Sequence, residues 1–180
     1  HEFFHAWNVE RLRPAELEPF DFNRANPTPS LWFAEGFTSY YGPLTIRRAG
    51  ESTVDEFLET MAGRLNAVVH APGREFASPQ GMSLRAAFTD AASSIDPFNR
   101  ANSFVSYYPY GAVIALALDL SLRKKFEDVT LDDYMRDLWR TFGKSETPYT
   151  HDDLRAGLAA VTGDKAFAHG FFANYIEGND

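Results

Sequence analysis

Apolar residues recur at helical spacing along the chain, and no long stretch alternates apolar and polar positions as a strand would. Between 52 and 69, apolar positions three and four apart predict a helix with one face on the core: Phe57, Leu58, Met61, Leu65 and Val68. Residues 108–126 are apolar all round, which indicates a helix buried at the centre of a bundle. The pattern therefore predicts an all-α helical bundle in a single domain, 1–180.

The first third of the chain is predicted as helix, loop and helix. Residues 1–14 are interpreted as the end of a helix stopped by Pro14, and residues 15–29, rich in proline and asparagine, as a loop. Thr28 precedes a proline and is the predicted N-cap of a helix over about 30–48 that ends at a glycine.

Later helices are marked by capping sequences. Thr53 and Glu56 predict a capping box, and the same pattern with aspartate follows Thr130 and Thr150. A last helix is predicted over about 165–176. The least regular stretch is 71–106, with one short helix near 83–92; it either lines a substrate cleft or is a surface loop.

Composition excludes several classes of protein. The net charge of −8, from 25 acidic and 17 basic residues mixed along the chain, argues against nucleic-acid binding. The longest apolar run, 111–118, is far shorter than the roughly 20 residues of a membrane helix, so no membrane partner is expected. The absence of cysteine excludes disulfides and thiolate zinc sites, and it leaves the compartment open between cytoplasm and periplasm.

The strongest chemical signal is the H-E-x-x-H motif formed by His1, Glu2 and His5. On a helix, residues four apart share a face, so both imidazoles can bind one zinc ion while Glu2 reaches a water molecule. Zinc lowers the pKa of its bound water far below that of bulk water, to about 7, which suits hydrolysis of amide bonds. The alternative is a pair of surface histidines beside a solvated glutamate, because so short a motif also occurs by chance.

A catalytic zinc site needs a third protein ligand. Glu35 lies in an apolar, aromatic helical stretch, 31–41, where a buried carboxylate needs a cation to balance its charge. The other interpretation is that Glu35 faces solvent. The remaining histidines stand beside turn residues and are interpreted as caps or surface residues: His70, His151 and His169.

Five segments of the sequence resemble the glycyl aminopeptidase family of bacterial gluzincin metallopeptidases, which are thermolysin-like: 1–14, 32–41, 106–119, 131–136 and 171–178. The segments are distributed over nearly the whole chain. The resemblance implies that this helical bundle corresponds to the C-terminal helical part of a thermolysin-like catalytic domain.

Carried over by position, the resemblance implies that His1, His5 and Glu35 bind one zinc ion and that Glu2 is the general base. It also implies an N-terminal β-rich region and a PDZ domain elsewhere in the full-length protein. Because His1 stands at the first position, we expect the chain to be a fragment of a larger catalytic domain. We expect such a fragment to bind zinc weakly or not at all and to be inactive.

The same resemblance implies that a tyrosine stabilises the oxyanion of the tetrahedral intermediate. This role maps onto Tyr108, with Tyr107 as the alternative if the register shifts by one residue. Tyr110 stands where related aminopeptidases have a lysine. The other interpretation of Tyr108 is a core tyrosine at the start of a buried helix.

These inferences together predict a zinc-dependent aminopeptidase acting on peptides with a free N-terminus, and the resemblance implies a preference for glycine. A second hypothesis is a noncatalytic helical domain that binds peptides or acts as a scaffold, with a vestigial zinc motif; the substitution at Tyr110 supports it. A third is an endopeptidase with the same chemistry.

Overall fold

The computed structural model describes residues 1–89, 98–178 and 180. Its described residues contain helices and turns but no β-strand, and they include one isolated bridge between Pro14 and Tyr149. The all-α prediction is confirmed. The α-helices are α1 (Leu31–Ala34), α2 (Gly36–Arg48), α3 (Val54–Val69), α4 (Pro79–Leu84), α5 (Ala86–Thr89), α6 (Arg100–Ser103), α7 (Tyr107–Lys125), α8 (Leu131–Leu138), α9 (His151–Thr162) and α10 (Lys165–Tyr175).

Helix α7 is the central element, as its apolar sequence predicted. It packs against α1, α2, α3, α4 and α8. By length and composition alone, the stretch 100–125 could cross a membrane, but 56% of its apolar window is buried inside the protein. The apolar character of α7 is therefore explained by its position in the core.

Helices α2 and α7 cross in direct backbone contact at two glycines. A Cβ atom on Gly36 would lie 2.2 Å from the Cα atom of Gly111, and one on Gly111 would lie 1.9 Å from the carbonyl oxygen of Trp32. No side chain fits at this crossing. The contact brings the start of α7 against the junction between α1 and α2, where Glu35 lies.

Asp119 joins three helices inside the core. Its carboxylate accepts hydrogen bonds from the Tyr40 hydroxyl at 2.8 Å and the Leu131 amide at 3.3 Å. It also pairs with Arg123 at 3.0 Å. The partners satisfy a carboxylate that is only 6% exposed.

The prediction that residues 1–14 form the end of a helix is wrong. The chain forms one 3-10 turn, Phe4–Ala6, within a series of turns, because the amides of Phe4, His5 and Ala6 bond to carbonyls three residues back. Val9 then takes a φ of 131°, which a helix cannot contain. The segment 15–29 is largely turn and loop, as predicted, with one 3-10 turn at Ala15–Leu17.

The next helix begins later than predicted and is interrupted. Ser30, and not Thr28, occupies the N-cap position of α1, while the Thr28 hydroxyl accepts a hydrogen bond from the Ser30 amide. Glu35 lies between α1 and α2, although its amide still bonds to the Leu31 carbonyl and its own carbonyl accepts a hydrogen bond from the Ser39 amide. The predicted end is correct, since α2 stops before Gly50, whose φ is +82°.

The capping predictions for the later helices agree with the structure. Thr53 and Thr150 each form a reciprocal capping box. The Asp133 carboxylate accepts a hydrogen bond from the Thr130 amide. The core face predicted for α3 is only partly correct, because Leu58 and Leu65 are 55% and 42% exposed. The short helix predicted near 83–92 overlaps α4 and α5, and its last three residues lie outside the described part of the chain.

Candidate metal centre

The side chains of His1, His5 and Glu35 meet at one point. The Nε2 atoms of the two histidines are 3.0 Å apart, and each lies 3.1 Å from the Glu35 Oε2 atom. The histidines come from the amino-terminal turn, and Glu35 comes from the interruption between α1 and α2. The three side chains are 18–30% exposed, so the site is open to solvent on one side.

Each imidazole has a second contact on its other ring nitrogen. Nδ1 of His5 lies 2.9 Å from the carbonyl oxygen of Asn8, which can only accept, so Nδ1 carries the proton. The Nε2 atom of neutral His5 therefore presents a lone pair to the cluster. Nδ1 of His1 lies 3.4 Å from the Ser39 hydroxyl. Such contacts on the far nitrogen orient histidines that bind metals.

The donor set suits a zinc ion. Three electron-pair donors face one another at 3.0–3.1 Å, an arrangement that repels itself unless a cation or a proton lies between the atoms. Tetrahedral zinc with bonds of about 2.0–2.1 Å places its ligand atoms about 3.3 Å apart, close to the spacing found here. Burial raises the pKa of Glu35, and Glu2 adds to the rise, while His5 and Tyr108 oppose it.

Asn8 fastens the histidine turn to the segment that carries Glu35. Its side-chain amide is fully buried and donates to the carbonyls of Phe33 at 3.2 Å and Ala34 at 3.1 Å. The same amide lies 3.1 Å from the Thr38 hydroxyl. Since the backbone carbonyl of Asn8 also orients His5, this one residue contacts both halves of the site. Sequence reasoning did not single it out.

Glu2 is exposed and lies beside the two histidines. Donor atoms of His1, Glu2 and His5 lie within 4.8 Å of one another. The carboxylate is therefore close enough to the cluster to exchange a proton with a water molecule held there, and its exposure leaves it free to move.

Tyr108 is next to the cluster, at the start of α7. Its hydroxyl interacts with the Glu35 carboxylate, and its ring centroid lies 5.7 Å from that of His1. Tyr107 stacks on Tyr108 at 4.9 Å and is itself buried. Tyr110 is 3% exposed and belongs to the core, with Arg74 as a neighbour. Of the three tyrosines, Tyr108 is the one that contacts the residues of the cluster.

The other histidines lie apart from the cluster. His70 is the exposed C-cap of α3, and His169 is exposed on α10. His151 opens α9 and is partly buried against Trp32 and Phe172, with ring centroids 6.3 Å and 5.3 Å away. The expectation that these residues are caps or surface residues describes His70 and His169 but misses the packing role of His151.

Comparison with known proteins identifies the class of this scaffold. Residues 1–114 match the model of the M61 glycyl aminopeptidases, and the chain belongs to this family of peptidases. It is also similar to the crystal structure of an aminopeptidase N family protein from Idiomarina loihiensis, with 30% identity and a TM-score of 0.91. That match covers 100% of this chain and 30% of that protein, so the chain spans under a third of its length. No curated protein matches the chain.

Proposed function

We propose that this chain carries the metal centre and the general base of a zinc-dependent aminopeptidase. One observation carries the proposal: the three donor atoms of His1, His5 and Glu35 converge at 3.0–3.1 Å although 29 residues separate His5 from Glu35. Membership of a peptidase family supports the same conclusion.

His1, His5 and Glu35 would hold the zinc ion. When bound, zinc acts as a Lewis acid that makes water a stronger acid and polarises a carbonyl group. Glu2 takes a proton from the water whose oxygen attacks the carbonyl carbon. Tyr108 donates a hydrogen bond to the developing oxyanion. The carbon–nitrogen bond then breaks, and Glu2 returns the proton to the leaving amine.

The substrate that fits this proposal is a peptide with a free amino terminus. The family description supports an amino-terminal glycine, and a carboxylate outside the ligand set is needed to bind the ammonium group. The β-rich region and the PDZ domain implied by the resemblance belong to the same proposal. Peptides with a blocked amino terminus distinguish an aminopeptidase from an endopeptidase, since only the latter cleaves them.

A noncatalytic domain with a vestigial motif is the competing hypothesis. The observation that supported it is the tyrosine at position 110. Tyr110 is a core residue, however, and its described contacts include none of His1, His5 and Glu35. A vestigial site is under no constraint to keep its donor atoms together. The close spacing of the cluster therefore favours the enzyme.

The role of Glu2 is tested by Glu2→Gln in the full-length protein. We expect turnover of a glycyl peptide to fall by a factor of at least about 100, since general-base catalysis contributes about 10²–10⁴. Zinc content should remain at the wild-type level, because Glu2 is not one of the three ligands. Metal analysis and initial rates on the same sample measure both.

The matched control is Glu10→Gln, which neutralises an exposed carboxylate on the same amino-terminal segment. Its activity should equal that of the wild type. Full activity of Glu2→Gln would disprove the base assignment, and a wild-type protein without bound zinc would disprove the metal centre.

A further inference from the structure

Pro43 lies inside α2 and removes one of its backbone hydrogen bonds. A proline has no N–H group, so the carbonyl of Ser39, four residues earlier, lacks its helical donor. Ser39 is 5% exposed, which limits access of water to this part of the helix. The carbonyl therefore needs a donor from another element.

Arg64 on α3 supplies that donor. Its Nη1 atom donates to the Ser39 carbonyl oxygen. Burial lowers the pKa of Arg64, and no acidic side chain in the described parts of the chain pairs with it. Burying an arginine side chain without a carboxylate partner costs free energy unless its donors are hydrogen-bonded. The hydrogen bond to the Ser39 carbonyl satisfies one of these donors.

The same part of α2 supports His1. The Ser39 hydroxyl lies 3.4 Å from Nδ1 of His1. At Gly42, a Cβ atom would lie 3.4 Å from the backbone nitrogen of His1. A shift of the stretch from Ser39 to Gly42 would thus move both the ring and the backbone of a proposed zinc ligand.

We propose that Arg64 is a positioning residue for the metal centre. By donating to the carbonyl that Pro43 leaves without a helical partner, it fixes the stretch from Ser39 to Gly42 against His1. The His1 imidazole then stays aimed at the ion. This inference rests on the proposed function, because it concerns the same site, and Arg64 acts through Ser39.

The first test is the zinc affinity of Arg64→Met, measured in the full-length protein by competition with a chromophoric chelator. We expect a loss of about tenfold, the lower end of what removal of an outer-shell partner costs. Arg64→Lys keeps a donor and should recover most of the affinity. Arg140→Met, which removes an exposed arginine elsewhere, should bind zinc as the wild type does.

The second test restores the missing donor. Pro43→Ala gives residue 43 an N–H group that can bond to the Ser39 carbonyl, so Arg64 becomes dispensable. In this background Arg64→Met should change zinc affinity by less than about threefold, and the double-mutant cycle should show strong coupling. Loss of charge or of general stability would not be reversed by Pro43→Ala.

The outcomes separate the two proposals. Wild-type affinity in a folded Arg64→Met protein, or an undiminished loss in the Pro43→Ala background, overturns the role of Arg64 while the metal centre stands. If Arg64→Met does not fold, the double variant is compared with Pro43→Ala alone: a change in zinc affinity below about threefold supports the role of Arg64, and a loss of about tenfold or more overturns it. A wild-type protein that binds no zinc overturns the proposed function and this inference with it.

Discussion

Asn8 shows how one side chain outside the ligand set holds the candidate site together. The side-chain amide of Asn8 donates to two backbone carbonyls close to Glu35. The backbone carbonyl of Asn8 accepts from Nδ1 of His5 and so fixes the tautomer of that ring. The candidate ligands lie on separate segments, with little regular structure around His1 and His5. Their mutual position therefore depends on a few specific hydrogen bonds of this kind.

At this scale we predict that Asn8→Ala lowers the free energy of unfolding by about 2–3 kcal/mol, because buried carbonyls lose their donor. Zinc affinity should fall as well, since the turn and Glu35 are no longer tied together. Urea unfolding and zinc competition measure the two effects. Asn66→Ala, at an exposed position on α3, should change stability by less than about 0.5 kcal/mol. Equal stability of the two variants would contradict the proposed role of Asn8 in joining the two segments.

The candidate ligand residues could be recognised from the sequence, whereas the contacts of Asn8 and Arg64 could not. His1, Glu2 and His5 form a local motif, and Glu35 lies in a recognisable apolar stretch. Asn8 has partners 25–30 residues away, and Arg64 has one 25 residues away. For Arg64, the one sequence signal was Pro43 inside α2, because a proline leaves the carbonyl four residues earlier without its helical donor.

Among the elements, the crossing of α2 and α7 has the largest consequence for the site. Gly111 stands one turn after Tyr108, and Gly36 follows Glu35 directly. Backbone contact between the two glycines therefore sets the distance between the tyrosine and the carboxylate. Small residues are required because even a methyl group would overlap the opposite backbone.

We predict that Gly111→Ala lowers the free energy of unfolding by roughly 3 kcal/mol, since its Cβ atom would lie 1.9 Å from the Trp32 carbonyl oxygen. From the role proposed for Tyr108, peptidase turnover of the full-length protein should fall further than stability explains, because Tyr108 moves with α7. Denaturant unfolding and kcat measured well below the unfolding midpoint distinguish these effects.

Gly170→Ala on α10 is the control for this substitution. No atom lies within 4 Å of the added Cβ, so alanine should raise stability by about 0.5–1 kcal/mol through its higher helix propensity. A Gly111→Ala variant as stable as the wild type would show that the two helices can separate without cost.

For the whole molecule, His151 links the carboxyl-terminal helices to the core. Its ring packs on Trp32 and Phe172, and its Nε2 atom lies 3.3 Å from a Glu177 carboxylate oxygen. Burial lowers the pKa of His151, opposed by Glu177. The folded protein therefore prefers the neutral ring more strongly than the unfolded chain does.

The sign of the pH effect follows from this pKa shift. As pH falls through about 6.5, the unfolded chain takes up a proton before folded His151 does, so the free energy of unfolding decreases. We predict a shallower decrease in His151→Gln, measured by urea unfolding between pH 5 and pH 8. The charged groups that face the ring, Glu177, Arg155 and Asp152, remain in both proteins.

The exposed His70 provides the comparison, since His70→Gln should follow the wild-type curve. Parallel curves for wild type and His151→Gln would contradict the prediction.

The sequence alone predicted α3, α7, α8, α9 and α10, the end of α2 and the types of residue at the candidate site. Two kinds of feature depend only on residues close together in the chain: the capping boxes at Thr53 and Thr150, and the apolar character of α7. Such features can be recognised without a structure. Only the tertiary structure decided the 3-10 form of the amino-terminal turn, the start of α1 and the convergence of the three candidate ligands. These features depend on contacts between residues far apart in the chain, whose free energies a local pattern does not contain.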